Sequence, residues 1–147
     1  MMEAGEIFKI ANAFASIGWL LMLVLYSFDK MAQWLIGGIV ILLCIAYVII
    51  IVPGLSKMPA DSFSTIEGVM ALFQSKEAVL AGWIHYLAFD LLTGITIAMS
   101  AKSYGINRFV MLPFWLFTFM LGPLGFLLYY TFLTIKSKQF LPRMIRL

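Results

Sequence analysis

Four apolar runs divide the chain, at about 8–28, 34–53, 78–101 and 110–134, and each is close to the roughly 20 residues a helix needs to cross a bilayer. Short polar segments separate them. The pattern predicts an all-α membrane protein, a four-transmembrane-helix bundle in one domain spanning 1–147. The first run follows Glu3, Glu6 and Lys9 rather than a basic cluster, and no small-residue cleavage site follows it. It reads as a retained helix, not a signal peptide. Within it, Asn12, Ser16 and Gly18 suit a helix–helix contact, and Trp19 is deep enough to pack inward.

Asp29 to Gln33 make a polar turn, with Trp34 at headgroup level. Gly37-Gly38 offers a place for close packing, and Pro53-Gly54 ends the second run. Residues 55–76 are the one substantial stretch outside the apolar runs. Ser64-Thr65-Ile66-Glu67 fits a capping box. Ile66, Val69, Met70 and Phe73 then recur at helical spacing. This predicts a short amphipathic interfacial helix over about 64–74, either a lid or a plain connector. Ser75 caps the third run, and Pro113 is expected in the first turn of the fourth. The short turn at 102–108 makes the third and fourth runs antiparallel neighbours. Four crossings place both termini on one side. Lys9, Lys57, Lys76, Lys136, Lys138, Arg143 and Arg146 lie there, against Lys30, Lys102 and Arg108, so both termini are expected in the cytoplasm.

Composition narrows the class. The chain is 63% hydrophobic and 12% charged, too little charge for the surface of a soluble domain of 147 residues. Cys44 is the one cysteine and His85 the one histidine, so neither an intrachain disulfide nor a protein-only metal or haem site is expected. No cofactor is implied. The net charge of +3 flanks apolar runs, which is a membrane pattern and not a nucleic-acid footprint. The expected partners are membrane lipids and an apolar ligand, with homo-oligomerisation left open.

The candidate chemistry lies in the third run. His85 and Asp90 are ionisable groups at membrane depth, where a charge costs about 2.5–3.5 kcal/mol on insertion scales. They are five positions apart, about 140° around a helix, so they do not form a dyad. Tyr86 shares the Asp90 face at i, i+4. Gly122-Pro123 lies at similar depth in the fourth run, where Pro123 frees the Phe119 carbonyl. A protonated Asp90 is the expected donor to it, with Thr93 and Thr118 in reach, and Tyr129 and Tyr130 are expected level with His85. The bland readings stand beside these: His85 as a packing residue, Asp90 as an interhelix hydrogen bond, Gly122-Pro123 as a simple kink.

Gly82-Trp83-Ile84-His85-Tyr86-Leu87-Ala88-Phe89-Asp90-Leu91 resembles the signature of the abscisic-acid-deficiency, neoxanthin-synthase-like membrane family. Ile66 to Phe73, Phe117 to Tyr129, and Asn12 with Gly18-Trp19-Leu20-Leu21 are similar to further parts of it. The resemblance covers nearly the whole chain. It implies a four-helix membrane protein tied in plants to converting violaxanthin to neoxanthin, an epoxide-to-allene isomerisation. It makes Asp90 and His85 the candidate acid–base pair, with Trp83, Tyr86, Asn12, Thr118, Pro123 and Tyr129 as candidate substrate contacts. The chain departs from the family at Gly94-Ile95-Thr96, where Gly-Arg-Trp is expected. A transit peptide is also missing, which suggests a bacterial member in the inner membrane. The leading expectation is a protein handling a carotenoid or other isoprenoid lipid, with isomerisation as its chemistry. A non-enzymatic lipid-binding scaffold and a small proton-coupled carrier are the alternatives.

Overall fold

The computed structural model describes residues 2–56 and 62–144. Five helices follow in order: α1 (Ala4–Leu25), α2 (Met31–Leu55), α3 (Ile66–Leu72), α4 (Lys76–Ser103) and α5 (Arg108–Ser137). All but α3 are long and apolar enough to cross a membrane, so the all-α membrane class read from the sequence is the class observed.

α4 is the central helix. Of its apolar window 56% is buried, against 22%, 22% and 28% for α1, α2 and α5, so the other three wrap around it. Its small residues explain this. Ala81, Ala88, Gly94, Ala98, Ser100 and Ala101 are all buried, and small side chains let helix backbones approach closely. Trp19 of α1 lies over Gly94, where a Cβ would strike its ring. Gly18 in turn receives Leu91 and Ile39. Both α1 residues therefore pack inward, as their positions suggested. Most large apolar side chains on α1, α2 and α5, such as Leu20, Ile49 and Leu127, point outward.

Ser75 caps α4 as expected, accepting from the Ala78 N–H at 3.0 Å. The α3 cap is one residue later than the capping box implied: Thr65, not Ser64, accepts from the Gly68 N–H at 3.0 Å. Ile66 and Met70 of α3 are exposed, while the Phe73 ring rests on Gly82 of α4. Gly37 and Gly38 do not form a packing notch. They sit in a π-helical stretch, Ile36–Val40, and a Cβ on either would meet open space. Pro53 and Gly54 lie inside α2, whose last residue is Leu55.

α5 departs most from a simple crossing. Leu121 has φ −148° and ψ 56°, outside the helical region, and the helix reverses there. Phe114 and Phe132 have ring centroids 5.1 Å apart, although 18 residues of straight helix would separate them by about 27 Å. Phe114 also meets Tyr129 at 5.9 Å, and Thr118 touches the Gly125 position. These pairs converge on 121–122, so α5 is a hairpin of two helical arms, 108–120 and 122–137. Pro123 therefore starts the second arm, where its missing N–H costs nothing, and is not the cause of a mid-helix kink. Pro113 lies deeper in the first arm than expected, because Asn107 caps it by accepting from the Phe109 N–H.

The hairpin moves the C-terminal tail. The Tyr104 hydroxyl donates to the Arg143 carbonyl at 3.0 Å, beside the α4–α5 turn. The α1–α2 turn is at the same end: Tyr26 donates to the Ile106 carbonyl at 2.7 Å, and Lys102 pairs with Asp29 at 2.8 Å. The start of α1 lies at the other end, where Ala4 and Phe8 share a groove with Gln74 and Lys76. The two termini thus lie at opposite ends of the molecule, contrary to the expectation of one side. The reason is that the last apolar run turns back at Leu121 and does not continue to the far end.

Candidate functional site

The apex of the α5 hairpin meets α4 about halfway along its length, at Tyr86 and Asp90. A break in a helix leaves carbonyls without partners at one new end and N–H groups at the other. In an apolar surrounding each must be satisfied from elsewhere. Two side chains one turn apart on α4 do this. The Tyr86 hydroxyl donates to the Met120 carbonyl at 2.6 Å and also faces the Phe119 carbonyl at 3.3 Å. The Gly122 N–H faces the Asp90 carboxyl, and the Tyr86 hydroxyl also lies within hydrogen-bonding reach of that carboxyl.

This reverses one expectation. The freed Phe119 carbonyl has a donor, but it is Tyr86 and not a protonated Asp90. Asp90 is an acceptor at the other new end. Gly122 is required there: a Cβ would overlap the Asp90 Oδ1. Oδ2 is buried and has no hydrogen-bond partner among the described residues, and Asp90 is only 8% exposed.

Beside Asp90, between α4 and the second arm, lies a groove of about 490 Å³. Phe89, Asp90, Thr93, Thr96, Pro123 and Phe126 line it, with Leu92 and Gly122. The Thr93 and Thr96 hydroxyls donate to carbonyls of their own helix, Phe89 at 2.8 Å and Leu92 at 2.9 Å. Their oxygens remain as weak acceptors. Among the described residues the lining is otherwise apolar, and Asp90 is its one ionisable side chain.

The candidate residues fall into two groups. Asn12, Trp83, Tyr86, Asp90 and Pro123 are linked. Trp83 Nε1 donates to Asn12 Oδ1 at 3.1 Å, joining α4 to α1, and its ring meets that of Tyr86 at 5.4 Å. Asn12 anchors the pair by donating to the Phe8 carbonyl at 2.7 Å. Pro123 lines the groove.

His85, Thr118 and Tyr129 stand apart from Asp90. His85 is exposed and meets the rings of Tyr47 at 5.7 Å and Phe89 at 4.6 Å. Thr118 donates to the Phe114 carbonyl at 2.7 Å and packs inside the hairpin. Tyr129 is fully buried and donates to Ser100 Oγ at 2.7 Å, ten residues beyond Asp90 along α4. It is not level with His85, again because α5 folds back. Sequence reasoning missed the Gly122 N–H and the lining residues Phe89, Thr96 and Phe126. The available signal was Leu121-Gly122-Pro123 itself, which permits a helix end followed by a helix start as readily as a kink.

No curated protein and no solved structure matches the chain. The sequence profile of the ABA DEFICIENT 4-like family matches residues 6–129, which include Asn12, the whole of α4 and the hairpin apex. The chain therefore belongs to the ABA DEFICIENT 4-like family and is, in general terms, a membrane protein related to neoxanthin synthesis.

Proposed function

We propose that the protein binds a carotenoid or other isoprenoid lipid in the α4–α5 groove and isomerises it by proton transfer at Asp90. The observation that carries this reading is the unpartnered, buried Asp90 Oδ2 at the edge of an apolar groove. A buried polar atom without a partner costs about 1–3 kcal/mol, and with the proton on Oδ2 it would be satisfied by donating to an oxygen function on an apolar ligand. The apolar lining suits a long hydrocarbon. Tyr86 and Gly122 hold the carboxyl in place from either side of the hairpin apex.

One carboxyl suffices for an epoxide-to-allene rearrangement. Asp90 gives its proton to the epoxide oxygen as the C–O bond breaks. The carboxylate then accepts the proton lost from carbon as the allene forms. Atoms and charge balance with no external oxidant or reductant. His85 has no part in this scheme, since its ring packs on Tyr47 and Phe89. Trp83 and Asn12 position Tyr86.

Asp90→Asn tests the reading in a carotenoid-producing host. Asn keeps an oxygen for the Gly122 N–H but cannot cycle a proton. General acid–base catalysis contributes on the order of 10²–10⁴, so conversion of the lipid should fall by that factor at normal protein level. An unchanged pigment and lipid profile would overturn the acid–base step. The lone ionisable group in the groove favours a second reading, a lipid-binding scaffold. In that case Asp90→Asn protein would still co-purify with the lipid, and conversion would not depend on Asp90.

A further inference from the structure

We propose that the Asp90 groove is a half-membrane site, loaded sideways from one leaflet only, the leaflet at the end of the molecule that carries the C-terminal tail. This rests on the lipid-handling reading for the nature of the ligand, but its geometry stands on the hairpin. α1, α2 and α4 run the full length of the molecule. The two arms of α5 run only from the α4–α5 turn to the middle of α4 and back. Thirteen residues of the first arm span about 20 Å, enough to reach the centre of a hydrocarbon core about 30 Å thick but not to cross it. The chain thus crosses three times, and α5 enters and leaves through the same surface. Irregular backbone at membrane depth is tolerated where protein satisfies it, which is what Tyr86 and Asp90 do.

The groove follows from this. Its α4 residues, Phe89 to Thr96, lie between the midplane and the hairpin's base, and its α5 residues belong to the upper part of the second arm. It therefore opens along one leaflet, with Asp90 at its inner end. A ligand enters from that leaflet and carries an oxygen function to the midplane.

Charge identifies the leaflet. Among the described residues, Lys30, Lys102, Arg108, Lys136, Lys138 and Arg143 lie at the hairpin's end, and Lys9 and Lys76 at the other. Glu3, Glu6, Glu67 and Glu77 are also at that other end. The excess of Lys and Arg marks the cytoplasmic side. The N-terminus is then external, the C-terminus cytoplasmic, and the ligand comes from the cytoplasmic leaflet. The count that placed both termini inside is reversed for the N-terminus, because the basic tail changes ends.

Two measurements on the full chain test this. With Cys44→Ser as background, Glu6→Cys and Gln139→Cys are probed in intact cells with a membrane-impermeant maleimide. Glu6→Cys should label from outside, and Gln139→Cys only after permeabilisation. Labelling of both from the same side, or in the opposite sense, overturns the topology. Next, a fluorophore on Thr93→Cys is compared with one on Val79→Cys in vesicles of known orientation. Spin-labelled phosphatidylcholine is added to one leaflet. Thr93 should be quenched at least several-fold more strongly from the leaflet at the C-terminal end, and Val79 from the other. Equal quenching of Thr93 from both leaflets overturns one-sided loading. Neither readout needs turnover, so an inactive Asp90→Asn result and a failed topology remain separate findings.

Discussion

At the residue scale the site depends on two side chains one helical turn apart. Tyr86 and Asp90 each satisfy one broken end of α5, and removing the Tyr86 hydroxyl or the Asp90 acceptor oxygen strands a backbone group. Tyr86→Phe removes the donor to the Met120 and Phe119 carbonyls while keeping the ring that packs on Trp83. Leaving a carbonyl unpaired in an apolar surrounding costs about 1–3 kcal/mol, so the variant should be less stable in detergent by about that amount. Thr131→Val is the control, because that exposed hydroxyl donates only to Leu127 of its own helix, at 2.9 Å. An equal loss in both variants would remove Tyr86 from its assigned role. Asp90 was visible in the sequence as an ionisable residue in an apolar run. Its true partner was not, because the Gly122 N–H becomes available only where the chain leaves helical geometry.

At the element scale the hairpin is held by close contact between its arms. Gly125 faces the Thr118 backbone and hydroxyl, and a Cβ there would overlap them. Backbone cannot swing aside as a flexible side chain can. Gly125→Ala should cost on the order of 1–3 kcal/mol through overpacking. Gly37→Ala, where a Cβ meets nothing, should be neutral or slightly stabilising by restricting the unfolded chain. Thermal melts of the two variants check the contrast. A second element-scale link joins the turns at the basic end, where Lys102 pairs with Asp29 at 2.8 Å. The hydrogen bond from Lys102, with its charge, holds the Asp29 carboxyl below its ordinary 3.8. A depressed carboxyl contributes stability above its unfolded value and loses it as pH falls through the folded one. Any contribution is therefore present at neutral pH and disappears below about 3.8. Asp29 is fully exposed, so the effect is small and weakens with salt. Lys102→Gln should flatten that acid limb of the stability profile and leave the rest unchanged.

At the scale of the whole molecule, hydropathy was legible and direction was not. Four long apolar helices, the short helix α3 and the Ser75 cap could be read in advance, because each depends on local composition and spacing. Where the fourth apolar run goes could not. A 30-residue apolar run is equally good lipid-facing material whether it crosses the bilayer or turns at its centre. The positive-charge count inherited that ambiguity and placed the basic tail at the wrong end.

By itself the sequence determined a membrane protein of the ABA DEFICIENT 4-like family, with an acid at mid-depth in its third apolar run. Composition and motif settle those matters residue by residue. The tertiary structure decided what the acid faces. Contacts between residues 18 apart in the chain fold α5 back, and only then do the Gly122 N–H, the Tyr86 hydroxyl and the groove gather around Asp90. The physical reason is that hydrophobicity fixes whether a segment lies in the membrane, whereas the partners of backbone groups freed by a break are set by what packs against them.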